Sequence, residues 1–172
     1  MNCGLTELPE EVGELIWLKF LNISENKIAD LSPIQGLVRL KEIDCRKTEI
    51  SNLMQLKDLV ALQTFKASNT RIYDLSSLTD LLNLTNLDIS FTNVRDLTPL
   101  KNLINLSRLN IRNTRIKMLD PIMNCVKIEY LNISYTKIKS IKPVLPLIEK
   151  GIAIQTKNHF NETVWLDDIR PA

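Results

Sequence analysis

The chain has 172 residues, 44% of them apolar, and a formal net charge of +2 from 22 basic and 20 acidic side chains. That is about one domain's length with enough apolar residues to bury a core. The near balance of charge excludes the concentrated basic field that a nucleic-acid or membrane-surface binder needs. No stretch approaches the roughly 18 apolar residues that span a bilayer. Met1-Asn2-Cys3-Gly4 carries neither the basic start nor the apolar run of a secretory signal. The three cysteines, Cys3, Cys45 and Cys125, are an odd number, and their places in the pattern read as small buried side chains in a reducing compartment. The expected location is cytoplasmic, with a secreted or cell-surface protein as the alternative.

In chain order, residues 1–17 form half of a repeat, with Trp17 beside the first strand. Residues 18–149 then repeat with a period of 22, starting at Leu18, Leu40, Leu62, Leu84, Leu106 and Ile128. The lines align without insertion as L-x-x-L-x-I-x-x-[N/T]-x-I-x-x-L-x-x-L-x-x-L. Seven columns of six positions are apolar throughout, for example Leu21, Ile43, Phe65, Leu87, Leu109 and Leu131. Phe65 and Ala67 fall in the same repeat, a large residue beside a small one, as a core of conserved volume requires.

The alternation at the head of each line has period 2 and predicts a short strand. One strand per repeat, always in the same direction, stacks into a parallel sheet. Further on, Ser32, Thr98 and Asp120 each precede a proline, with Lys142-Pro143 at the same place in the last repeat. A capping side chain before proline predicts the start of a helical turn, and the few residues left before the next strand make it a 3₁₀ turn. The period breaks at Lys150-Gly151. Ile152-Ala153-Ile154 predicts one more strand outside the 22-residue register. The tail from Thr156 to Ala172 is expected to fold back as a cap or to lead into a linker, so residues 150–172 form the third segment.

Residues 18–37 (LKFLNISENKIADLSPIQGL) and 84–103 (LTNLDISFTNVRDLTPLKNL) resemble the leucine-rich repeats, and among them the short 22-residue class typified by the bacterial internalins. The resemblance covers residues 18–149. It implies an α/β solenoid, a horseshoe with a parallel sheet on the concave face and short 3₁₀ turns on the convex face. Residues 3–15 (CGLTELPEEVGEL) resemble the second half of such a repeat, with Cys3 in the family's asparagine column. That ladder of asparagines survives here only at Asn26, followed by Thr48, Thr70, Thr92, Thr114 and Thr136. A threonine hydroxyl offers fewer hydrogen-bonding groups than an amide.

Nothing in the sequence points to catalysis. His159 is the single histidine, so no pair of imidazoles exists to hold a metal. No glycine-rich phosphate loop, paired-cysteine motif or nucleophile elbow occurs. Asp30, Asp74 and Asp96 recur at one place in the repeat, which marks them as turn or cap residues. Five N-x-[S/T] sequons (Asn22, Asn83, Asn105, Asn132, Asn161) follow from the richness of the repeat in Asn, Ser and Thr. No catalytic residue, cofactor or metal is expected.

The outward columns of consecutive strands form the surface on which a solenoid usually binds. Of nine aromatic residues, Phe20, Phe91, Tyr130 and Tyr135 occupy outward positions where the fold does not need them. Phe91, Arg108, Arg112, Tyr130 and Tyr135 fall in three adjacent repeats and are expected to form one patch rich in the residue types of interface hot spots. Stacking between neighbours on a sheet accounts for such a cluster equally well. A further apolar column, Val38, Val60, Leu82, Ile104, Val126 and Ile148, with Ile16 before it, is expected to be a deeper edge of the core. The other reading is an exposed flank for self-association of an otherwise monomeric chain. The expected function is a non-catalytic interaction module with another protein as partner. The alternatives are the sensing or recruiting part of a larger GTPase or ligase, and an internalin-like surface adhesin.

Overall fold

The computed structural model describes residues 4–156. Seven parallel strands stack in chain order: β1 (Phe20–Asn22), β2 (Glu42–Asp44), β3 (Thr64–Lys66), β4 (Asn86–Asp88), β5 (Arg108–Asn110), β6 (Tyr130–Asn132) and β7 (Ala153–Gln155). From β1 to β6 each residue pairs with the one 22 positions later, as Leu21 does with Ile43. Between β6 and β7 the offset is 23, Leu131 facing Ile154, the register change that Lys150-Gly151 introduces. Each repeat returns through a three-residue 3₁₀ turn such as Ser32–Ile34 or Thr98–Leu100. The last of these runs into the four-residue helix Leu145–Ile148.

The seven apolar columns are the core. All their members are buried except Leu18 and Leu21 in the first repeat and Ile138 in the last, which are partly buried. Those three stand at the ends of the stack, where a repeat has one neighbour instead of two. Phe65 and Ala67 are both fully buried. Cys45 and Cys125 are buried free thiols, and burial pushes the Cys125 thiol up to about 11 and that of Cys45 further still. Cys3, His159 and the rest of the tail lie outside the described residues.

At the first unit the Glu10–Glu14 turn closes directly on the first repeat. A Cβ on Gly13 would sit 2.9 Å from the carbonyl oxygen of Pro33, so this approach requires glycine. Leu5 N–H donates to Asn26 Oδ1 and Lys27 N–H to the Leu5 carbonyl, which ties residues 4–9 to the first complete repeat.

The threonine column works as a ladder of donors. Thr48, Thr70, Thr92, Thr114 and Thr136 each donate the hydroxyl to the carbonyl three residues back, at 2.7–2.8 Å. Asn26 donates to two carbonyls, Ile23 and Ser24, while accepting from Leu5. Threonine therefore keeps the donation to the repeat's own turn, where the amide of Asn26 also reaches the unit before it.

Two expectations are corrected. The residue before each proline is not the cap of the 3₁₀ turn, because none of these turns has a side-chain cap bond from its first residue or the one before it. The cap sits two positions upstream of the turn's first residue. Asp30 accepts from Ser32 N–H, Asp74 from Ser76, Asp96 from Thr98, and Asn52 from Met54. An Asx side chain reaches the backbone two residues on at low conformational cost, which explains why these carboxylates recur.

The second correction concerns the apolar column after the turns. Ile16, Val38, Val60, Leu82, Ile104 and Val126 are 48–57% exposed, and only Ile148 is partly buried. They are an exposed ridge beside the sheet, not a core edge. Neighbouring loops along the ridge are joined by Asn83 Nδ2 donating to the Val60 carbonyl and Asn105 Nδ2 to that of Leu82, each at 2.9 Å. Polar bonds between backbone and amide hold the ridge in line, so its side chains are left to the solvent.

Candidate binding face

The concave face is set by two periodic features. The first is a ladder of Asx turns at the strand ends. Asn22, Asp44, Asp88, Asn110 and Asn132 each accept the backbone N–H two residues later, at 3.0–3.2 Å. These residues point outward in the sequence pattern but are committed to the scaffold. The second is a left-handed residue in every repeat: Glu25, Lys47, Asn69, Phe91, Asn113 and Tyr135 have φ between 51° and 60°. Asparagine adopts this conformation readily. A bulky aromatic there is strained, and such strain gathers where a side chain serves something other than folding. The sequence carried the signal in Asn69 and Asn113, the residues that favour the left-handed region, at the same column as Phe91 and Tyr135.

The structure brings Phe91, Arg112 and Tyr135 together. The Arg112 guanidinium lies 5.4 Å from the Phe91 ring centroid and 4.8 Å from that of Tyr135, one aromatic from each adjacent repeat. Its Nε is buried and has no hydrogen-bond partner among the described residues. Beside this group, at the start of β5, Arg108 lies 4.6 Å from the ring of Tyr130. Tyr130 Oη donates to Gln155 Oε1 of β7, and Asn132 Nδ2 donates to the same oxygen. Phe20, 66% exposed on β1, stands three strands away from β4 and joins neither group. A fourth stacked pair, Arg39 over Trp17 at 3.8 Å, belongs to the edge of the first repeat and is not a pairing the sequence singles out.

Charge divides the face in two. Across β1–β3 acids and bases pair: Arg46 with Asp44 at 2.6 Å, Lys47 with Glu25 at 2.6 Å, and Lys66 with Glu42. Burial alone would raise the Asp44 carboxyl, but the Arg46 guanidinium and N–H outweigh it and hold it below the usual aspartate range. The side-chain bond from Lys47 likewise lowers Glu25. Across β4–β6, Arg108 and Arg112 enter no ion pair among the described residues. Aromatic rings, which disperse a cation's field but do not neutralise it, are their only close partners there.

Hollows along the face cross this division. One of about 380 Å³ lies over β1–β4 between Arg46, Asp88 and Phe91. A second, about 260 Å³, is lined by Arg108, Asn110 and Tyr130 over β3–β6. The third, about 330 Å³, opens between Phe91 and Tyr135, with Asn113 between them and Arg115 and Lys137 beside it. Among the described residues no group of three or more His, Cys, Asp or Glu gathers as a metal site, and no helix is long and apolar enough to cross a membrane.

No protein-family model matches the chain, and no curated protein matches it. Solved structures do. An internalin of Listeria monocytogenes superposes with a TM-score of 0.81 at 22% identity, covering 91% of this chain and 45% of the internalin. Internalin C2 of the same organism gives 0.69 at 23% identity, covering 91% of this chain and 78% of that one. The leucine-rich-repeat ectodomain of a membrane receptor kinase from Arabidopsis thaliana, solved in complex with Casparian strip integrity factor 2, gives 0.71 at 18% identity, covering 88% of this chain and 19% of the ectodomain. The chain thus spans less than half of the first of these. Its 22-residue register, its parallel sheet and these likenesses make it a leucine-rich-repeat solenoid with the fold of the internalins.

Proposed function

We propose that this chain is a non-catalytic interaction module that binds a protein segment on its concave face. The centre of the site is Phe91, Arg108, Arg112, Tyr130 and Tyr135, with Phe20 as an outlying contact on β1. The observation that carries this reading is the placement of Phe91 and Tyr135 at left-handed positions, φ 56° and 59°, on either side of an arginine that has no ion-pair partner among the described residues. A fold selected for stability alone would use asparagine or glycine there. Arginine and large aromatics are also the side chains that dominate interface energetics. A plant peptide hormone receptor of the same fold is solved in complex with RGF2, which supports a polypeptide as the occupant.

Residues 18–149 are the binding unit in this reading, with 1–17 and 150–172 as its ends. Buried thiols in two core columns favour a cytoplasmic setting. The test compares proteins captured from a native lysate by the wild-type chain and by a variant with Phe91, Arg112 and Tyr135 all changed to alanine. Specific capture by the wild type should be lost in the variant while its thermal midpoint stays within a few degrees. An identical set of captured proteins would remove the patch from consideration.

A further inference from the structure

Resting on that site, we infer that its partner is an extended, acidic peptide segment that presents two carboxylate side chains about four residues apart, one to Arg108 and one to Arg112.

The charge balance of the face gives the sign. Every acid named above on β1–β3 already has a basic partner, so that half offers a ligand no net field. On the other half Arg108 and Arg112, which enter no ion pair among the described residues, outnumber the one acid of strands β4–β6, Asp88, whose Oδ1 is taken by Ser90, and Arg115 and Lys137 border the adjoining hollow. A carboxylate placed on an arginine gains a charge-assisted, two-pronged hydrogen bond. The rings of Tyr130 and of Phe91 with Tyr135 hold the two guanidiniums in place beforehand, so less side-chain entropy is lost on binding.

The geometry gives the spacing. Arg108 and Arg112 are four residues apart on one strand and its extension, which stays paired to the next repeat as far as Asn113. At ~3.3 Å per residue that separation is about 13 Å. A ligand lying along the strand spans the same distance with three residues between its two acids. Asn110 sits between the arginines. Its Oδ1 is taken by Arg112 N–H, which leaves its amide NH₂ to meet a ligand carbonyl. The buried Nε of Arg112 directs the ligand to the terminal nitrogens, so its carboxylate meets this guanidinium end-on. Acidic side chains, and not a chain terminus, fit this arrangement because two sites must be filled by one segment.

The test is selection from a random twelve-residue peptide library displayed on phage, with the full chain immobilised at low salt. In parallel the library is selected on Arg108→Gln/Arg112→Gln and on Phe91→Ala/Tyr135→Ala, both checked for folding by circular dichroism. Wild-type selections should be enriched in Asp or Glu pairs at i and i+4, or one position either side. Synthetic copies should bind at least tenfold more weakly when those acids become Asn or Gln, and equally more weakly to the double glutamine variant. Peptides that bind the patch, shown by loss on Phe91→Ala/Tyr135→Ala, yet carry no acidic enrichment would overturn the acidic partner and leave the patch standing. Peptides indifferent to both variants, or no selected peptides at all, would overturn the site and this inference together.

Discussion

Arg112 and Tyr135 belong to neighbouring repeats, and the guanidinium of one lies 4.8 Å from the ring centroid of the other. Because the arginine is half-buried and its Nε has no hydrogen-bond partner among the described residues, the ring is a substantial part of what holds it. A double-mutant cycle with Arg112→Ala and Tyr135→Ala should show a coupling of about 0.5–1 kcal/mol in urea unfolding, the size expected of a partly exposed cation–π pair. Additive single effects would mean that the two residues share a surface without supporting each other.

Phe91 offers a separation of stability from binding. At φ 56° a phenylalanine sits where L-residues lose roughly 1 kcal/mol, and asparagine does not clash. Phe91→Asn is therefore expected to stabilise the fold slightly, by about 0.5 kcal/mol after the loss of its contact with Arg112, and to raise the unfolding midpoint accordingly. The same change should weaken partner capture severalfold. A midpoint that falls as far as for a core truncation would show that Phe91 is a packing residue and that no strain is stored there.

The contrast between these residues and the core says what the sequence could reveal. Burial at a 22-residue period leaves its mark on every repeat, so the columns, the strands and the 3₁₀ turns were legible from apolar spacing. The clustering of Phe91, Arg112 and Tyr135 was legible too, because register alone makes them neighbours. The left-handed backbone of Phe91 and Tyr135 was hidden, since it shows only through Asn69 and Asn113 and is contradicted by the aromatics themselves. The ridge from Val38 to Val126 was misread for a different reason. Uniformly apolar positions suggest burial, yet much of any protein surface is apolar, and only the path of the loop decides which side such a column faces. Strand alternation puts Asn110 and Asp88 on the outward face, whereas Asx turns bind them to the scaffold.

The threonine ladder should be essential only inside the stack. Thr70 is buried and donates to the Ala67 carbonyl at 2.8 Å. Thr70→Val keeps the shape but strips that carbonyl of the bond, at a cost of about 1–2 kcal/mol. Thr136 makes the same bond in the last complete repeat but is only partly buried, so water can replace it. Urea midpoints of the two variants should differ clearly, and equal losses would mean that the hydroxyl bond is not what these residues contribute.

The exposed ridge predicts tolerance. Val60, Leu82 and Ile104 are 52–53% exposed, so changing all three to threonine should alter stability by no more than about 0.5 kcal/mol per site. Their immediate neighbours Leu59, Leu81 and Leu103 are fully or almost fully buried, and Leu81→Ala alone should cost about 2–5 kcal/mol. Thermal melts of the two variants place the boundary between core and surface between adjacent residues. A triple threonine variant as damaged as Leu81→Ala would put the ridge back into the core.

Acid should loosen the first half of the sheet in a way that one substitution can reveal. Burial would raise the Asp44 carboxyl, but hydrogen bonds from Arg46 Nε, Nη2 and N–H leave it below the ordinary aspartate value. The unfolded chain therefore takes up this proton at a higher pH than the folded one. The stabilisation is fully present above about pH 4, the unfolded aspartate range, and disappears as pH falls through the folded value. Asp30, lowered by its bonds from the Ser32 hydroxyl and N–H, and Asp74, lowered by Ser76 in the same way, act in the same direction. In urea titrations between pH 6 and pH 2, Asp44→Asn should be less stable than wild type at pH 6. The gap should narrow below pH 4, while the slope due to Asp30 and Asp74 remains. Two curves that stay parallel across the whole range would show that ionisation of Asp44 contributes nothing to the fold.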